Sequence, residues 1–125
     1  MKNAINWFEI PVNNYERAKK FYSEILALEI MDHDMGDKKM KYGIFPYDME
    51  GGGVGGAIVQ MEEMKPSMDG STVYLNGGND LSVAFSKVEA GGGKIFMPKT
   101  EIGENGFIAQ FTDTEGNRVA LHSMS

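Results

Sequence analysis

The chain has 125 residues, 42% of them hydrophobic, with 12 basic against 18 acidic side chains and a net charge of −6. That is the make-up of one folded domain, and its negative balance argues against nucleic acid or an anionic membrane as a partner. With no cysteine, disulfides, thiolate nucleophiles and cysteine zinc sites are excluded. The opening stretch Met1 to Trp7 has no apolar core of the kind a secretory leader needs, and no run is long enough to span a bilayer. A cytoplasmic protein is expected. In chain order, Ile5 to Val12 reads as a strand with Phe8, Ile10 and Val12 on one face and Trp7, Glu9 and Pro11 on the other. Asn13 or Asn14 is placed to cap a helix carrying Ala18, Phe21, Tyr22, Ile25 and Leu26 at helical spacing.

Glu29 to Asp34 and Lys39 to Phe45 read as strands, the second stopped by Pro46. The glycine-rich run Gly51 to Gly56 lacks the Gly-Lys-Ser/Thr ending of a phosphate loop and leads into a strand, Ala57 to Gln60. It is expected to be a flexible lid or hairpin. Residues 62–70 are polar, with Pro66 and Asp69-Gly70, and read as a linker. The pattern then restarts: a strand over Thr72 to Asn76, then a helix capped by Asn79 or Asp80 with Leu81, Ala84, Phe85 and Val88 inward. Gly91-Gly92-Gly93 ends that helix. Strands over Lys94 to Met97, Phe107 to Thr112 and Arg118 to Ser123 follow, the last two joined by an Asp113 to Asn117 turn. Both halves read β-α-β-β-β, and a shift of 66 positions sets Tyr15 on Leu81, Ala18 on Ala84 and Tyr42 on Ile108. The expected architecture is α+β, with module one at about 1–61, the linker at 62–70 and module two at 71–125.

The stretch Trp7 to Tyr22, together with Ala90-Gly91-Gly92-Gly93-Lys94, Met97-Pro98-Lys99-Thr100 and Phe111 to Asn117, resembles the vicinal oxygen chelate superfamily over essentially the whole chain. That superfamily includes glyoxalase I, bleomycin- and fosfomycin-resistance proteins and extradiol dioxygenases; the nearest likeness is to small bacterial glyoxalase-like proteins. The resemblance implies two βαβββ modules whose curled sheets face each other around a cavity. It also implies a divalent metal such as Zn, Ni, Mn or Fe. A His or Glu from the first strand and a Glu from the last strand of each module would hold that ion as a Lewis acid. The matching positions are Trp7, Thr72 or Val73, Ile58 (with Gln60 one step along the same face) and Ala120. Indole and aliphatic groups offer a metal no lone pair. The metal site therefore reads as erased, and no cofactor is expected.

Strand alternation assigns Trp7, Glu9, Ile58, Gln60, Thr72, Tyr74, Asn76, Ala120 and His122 to the cavity, joined by Tyr42, Ile44, Phe107, Ala109 and Phe111 from the third strands. Trp7, Gln60, Thr72, Tyr74, Asn76, Phe107 and Phe111 are the candidate ligand-binding residues. Glu9 and His122 are the candidate proton-transfer groups, against plainer roles as a structural carboxylate paired with a lysine, an arginine such as Arg118 or backbone amides, and as a terminal-strand residue. Asp32-His33-Asp34 cannot converge on one ion, because consecutive strand residues alternate faces. Of the ten methionines, some are expected to fill core gaps, the alternative being an adaptable binding or dimer surface. Three functions follow: a metal-free binder of a small organic metabolite or antibiotic-like molecule, a glyoxalase-type lyase or isomerase working through Glu9 and His122, or an interaction module with a plugged cavity. A homodimer is expected in each case.

Overall fold

The computed structural model describes residues 3–125, so Met1 and Lys2, which open the stretch read against a secretory leader, lie outside the described residues. The first half runs β1 (Trp7–Pro11), α1 (Tyr15–Leu26), β2 (Met31–His33), β3 (Lys41–Ile44) and β4 (Gly55–Gln60). The second runs β5 (Val73–Asn76), α2 (Ser82–Phe85), β6 (Lys94–Glu101), a 3-10 turn (Gly103–Asn105), β7 (Phe107–Thr112) and β8 (Arg118–Ser123). Their sheets have the orders β1-β4-β3-β2 and β5-β8-β7-β6, one permutation used twice. In each, the first strand lies parallel to the last and the remaining pairs are antiparallel. The duplication expected from the spacing is present as topology.

Local chemistry explains the helices. Asn14 Oδ1 accepts the Arg17 N–H at 3.0 Å, and Glu16 adds a favourable charge to the first turn of α1. The helix stops at Ala27, whose φ of 52° is left-handed and lets the Leu28 N–H reach the Ser23 carbonyl. The second helix is shorter than its apolar spacing suggests. Ser82, Val83, Phe85 and Ser86 are weak helix formers, and the chain continues as turns through Gly92.

One core takes in the helix-bearing faces of both sheets: Ile10, Phe45 and Ile58 from the first, Phe21, Tyr22 and Ile25 from α1, and Leu75, Ala109, Phe111, Val119 and Leu121 from the second. Phe21 of α1 sits 5.9 Å from Phe111 of β7, so the first helix packs onto the second half. The turn between β7 and β8 latches the halves together. Asp113 accepts the Tyr22 hydroxyl at 2.6 Å, and Asn117 Nδ2 donates to the Pro11 carbonyl at 2.7 Å. Burial first, and then the Asp113 carboxylate, push the Tyr22 phenol far above its usual range.

Because the helix-bearing faces share a core, the other two faces turn outward. Trp7 is 38% exposed, Tyr74 44% and Phe96 53%. Several side chains expected on those free faces are in the core instead. The register pairs Ile58 with Ile10, and both belong to the core, so Ala57 and Val59 share the free face with Glu9 and Pro11. Gln60 points to the helix side, where its Oε1 accepts the Tyr15 N–H at 2.7 Å. Phe111 and Ala109 are fully buried in the core and Phe107 packs against it, leaving Ile108 and Gln110 to face outward beside His122 and Ala120. Glycines 55 and 56 are strand residues rather than part of a lid. A Cβ on Gly56 would run into the Phe8 ring, which ties that backbone into the core.

Candidate functional site

Strand β1 places Trp7 and Glu9 on the free face of the first sheet, and β3 brings Tyr42 beside them. The Trp7 Nε1–H donates to Tyr42 Oη at 2.9 Å, and the Tyr42 hydroxyl donates to Glu9 Oε2 at 2.7 Å. A single phenol thus fixes the indole and the carboxylate together. Burial and the Glu9 hydrogen bond raise the Tyr42 pKa, so this hydroxyl stays a donor to Glu9 at neutral pH. Tyr47 closes the group: its ring stands 5.7 Å from that of Trp7 at 82°. Both rings lie over Gly55, where a Cβ would come within 2.5 Å of Tyr47 and 2.8 Å of Trp7. Tyr42→Phe is expected to cost about 1–2 kcal/mol and to shift Trp7 fluorescence, since it removes both bonds at Oη; chemical denaturation and emission spectra check this.

His33 lies on the same face, its ring 6.3 Å from Tyr42, whereas Asp32 turns to the helix side and takes hydrogen bonds from Tyr15 and Lys19. The alternation expected of Asp32-His33-Asp34 therefore separates Asp32 from His33. The Tyr15 hydroxyl and then Lys19 hold the Asp32 carboxyl below its usual value.

On the free face of the second sheet, Gln110 Nε2 donates to Tyr74 Oη at 3.0 Å, and Arg118 Nη2 donates to Thr72 Oγ1 at 3.0 Å. Arg118 also lies 5.8 Å from the centre of the Phe96 ring. Glu9 is thus bonded to Tyr42, and the Arg118 partner suggested for it bonds Thr72 instead. Asn76 Oδ1 accepts the Gly78 N–H at 2.8 Å, which shapes its own turn. His122 Nε2 donates to the Asn105 carbonyl at 2.6 Å. Glu9 and His122 stand on different sheets, each engaged by a different neighbour. A shallow pocket of about 160 Å³ is lined by Glu9 and Pro11 of β1, by Lys65, and by Arg118 and Val119 of β8. Tyr47, just beyond the Pro46 strand stop, carried no periodic signal that would mark it as part of this group.

Comparison with known proteins assigns the fold. Residues 4–121 match the family model of the Glyoxalase/Bleomycin resistance protein/Dioxygenase superfamily, and the chain belongs to that superfamily. It is similar to the protein named "Putative glyoxylase CFP32" of Mycobacterium bovis and Mycobacterium tuberculosis, at 27% identity over 93% of this chain and 44% of theirs. The chain therefore spans less than half the length of these curated relatives. Among solved structures, glyoxalase I from Zea mays superposes with a TM-score of 0.67 at 21% identity, over 98% of this chain and 48% of that one. The trypanothione-dependent glyoxalase I of Leishmania major gives a TM-score of 0.71 at 16% identity, over 98% of this chain and 88% of the other.

The metal implied by the resemblance can be tested against the donors in place. The free faces carry Glu9 and His122, each hydrogen-bonded on a separate sheet. The positions matched to the metal ligands, taken on the free face where the register requires it, carry Trp7, Ala57 or Val59, Thr72 or Tyr74, and Ala120. These are an indole, aliphatic groups and hydroxyls, none of them an imidazole or a carboxylate. Among the described residues, no three His, Asp or Glu side chains are grouped to hold an ion. The residues present do not fit a catalytic divalent metal.

Proposed function

We propose that this chain is a metal-independent member of its superfamily that binds a small organic molecule on the free face of its first sheet. The observation carrying this reading is the bonded set Trp7, Tyr42 and Glu9, with Trp7 at a position that the resemblance matches to a metal ligand. Flat aromatic surface with a few fixed polar groups is the usual make-up of a small-molecule site. A lyase or isomerase acting through Glu9 and His122 has less support, because those two groups are engaged on separate sheets.

A second copy of the chain completes the site in this proposal. The outward faces expose Trp7, Met31, Tyr74 and Phe96, an apolar extent that favours cover by a partner. Light scattering on the eluting protein is expected to give twice the 13.8 kDa of one chain. A single-chain mass at micromolar concentration contradicts this.

The ligand-binding reading is tested by a thermal-shift screen of small organic compounds with a chelator present throughout. Hits whose stabilisation disappears in the Tyr42→Phe and Glu9→Gln variants support it. Stabilisation that appears only after a divalent metal is restored overturns it.

A further inference from the structure

We infer that the corner formed by Trp7, Tyr47 and Glu9 binds an organic cation, a substituted ammonium group. This rests on the ligand-binding reading above and adds the chemical class of the ligand. Two aromatic rings meet edge to face at 82° with centroids 5.7 Å apart and wall the corner, the indole staying 38% exposed. The negative π-faces of such walls attract a desolvated cation, most strongly where the ring is indole.

The corner is built rather than accidental. Gly55 supplies its floor, since a Cβ there would meet both Trp7 and Tyr47. The indole is held in orientation by its N–H bond to Tyr42 Oη at 2.9 Å. The same hydroxyl anchors Glu9 by one carboxylate oxygen, Oε2, at 2.7 Å, leaving Oε1 to meet a ligand. Among the described residues the ion pairs are Arg17 with Glu115, Lys19 with Asp32, and Lys99 with Asp80; Glu9 joins none of them. The net charge of −6 favours approach of a cation and opposes that of an anion.

Trp7 is the chain's one tryptophan, so its fluorescence reports this corner directly. The full chain is titrated, in a chelator, with choline and with 3,3-dimethylbutan-1-ol, which replaces the charged nitrogen by carbon at nearly the same shape. Saturable change with choline is expected at about tenfold lower concentration than with the neutral alcohol. Choline binding is expected to weaken about tenfold in Glu9→Gln and at least severalfold in Tyr47→Ala, with the folded circular-dichroism spectrum retained in both. Equal response to the two compounds, or none to choline, overturns the cation proposal. Neutral or anionic hits in the chelated thermal-shift screen would then leave the ligand-binding reading standing, whereas their absence too would remove both.

Discussion

Phe111→Ala is expected to destabilise the protein by about 3–5 kcal/mol, read as a lowered midpoint in urea or heat. The ring is fully buried, and it packs against Phe21 where the first helix crosses onto the second half. Removing it opens a void at the joint between halves that neither sheet can fill by a small shift. The position looked like a ligand contact in the sequence, and the two assignments predict opposite outcomes. A wall residue of an open site would cost ligand affinity and little stability.

Glu115→Ala is expected to cost about 3 kcal/mol. The Glu115 side chain is wholly buried and accepts from the amides of Asn13 and Asn14, from the Arg17 guanidinium and from the Thr114 hydroxyl. Arg17 is half exposed and can turn into water, so most of the loss comes from the two stranded amides at the start of α1. The same site sets a pH dependence. Burial works to raise the Glu115 carboxyl, but hydrogen bonds from Arg17, Asn14, Thr114 and Asn13 outweigh it and hold the group below 4.5. A carboxyl depressed in the folded state contributes fully above its unfolded value and loses that contribution as pH falls through the folded value. Stability is therefore expected to drop below about pH 4.5, and more gently in Glu115→Gln, when unfolding is followed against pH.

The duplicated order of elements was legible because each helix follows a strand and carries an apolar stripe. Only α1 is capped by a side chain, Asn14; α2 opens on Leu81 as its N-cap, without the expected Asn79 or Asp80 there. Strand β1 was legible too, since Glu9 between Trp7 and Pro11 gives a clear period of two. Faces went astray where that contrast vanishes. In β4, Ala57, Ile58 and Val59 are all fully buried, so hydropathy cannot tell the core face from the free one; only the pairing of Ile58 with Ile10 does. In β7, Phe107, Ile108, Ala109 and Phe111 are apolar on both faces, with only Gln110 and the terminal Thr112 marking the outer side. One step of register moves every side chain to the opposite face. That is why Gln60, Phe107 and Phe111 changed sides while Trp7, Glu9, Tyr42 and Tyr74 did not. The change of face adds no donor at that position, because Ala57 offers an ion no more than Ile58 did. Tyr47 was invisible, since its partner Trp7 lies forty residues earlier and only the Gly55 floor brings the rings together.

Metal-independent binding is tested most directly by calorimetric titration of chelator-stripped protein with zinc, nickel, manganese and ferrous ions in turn. The account predicts no stoichiometric uptake of any of them, with unchanged Trp7 emission. One ion bound tightly per chain, displaced on replacing Glu9 or His122, would contradict it.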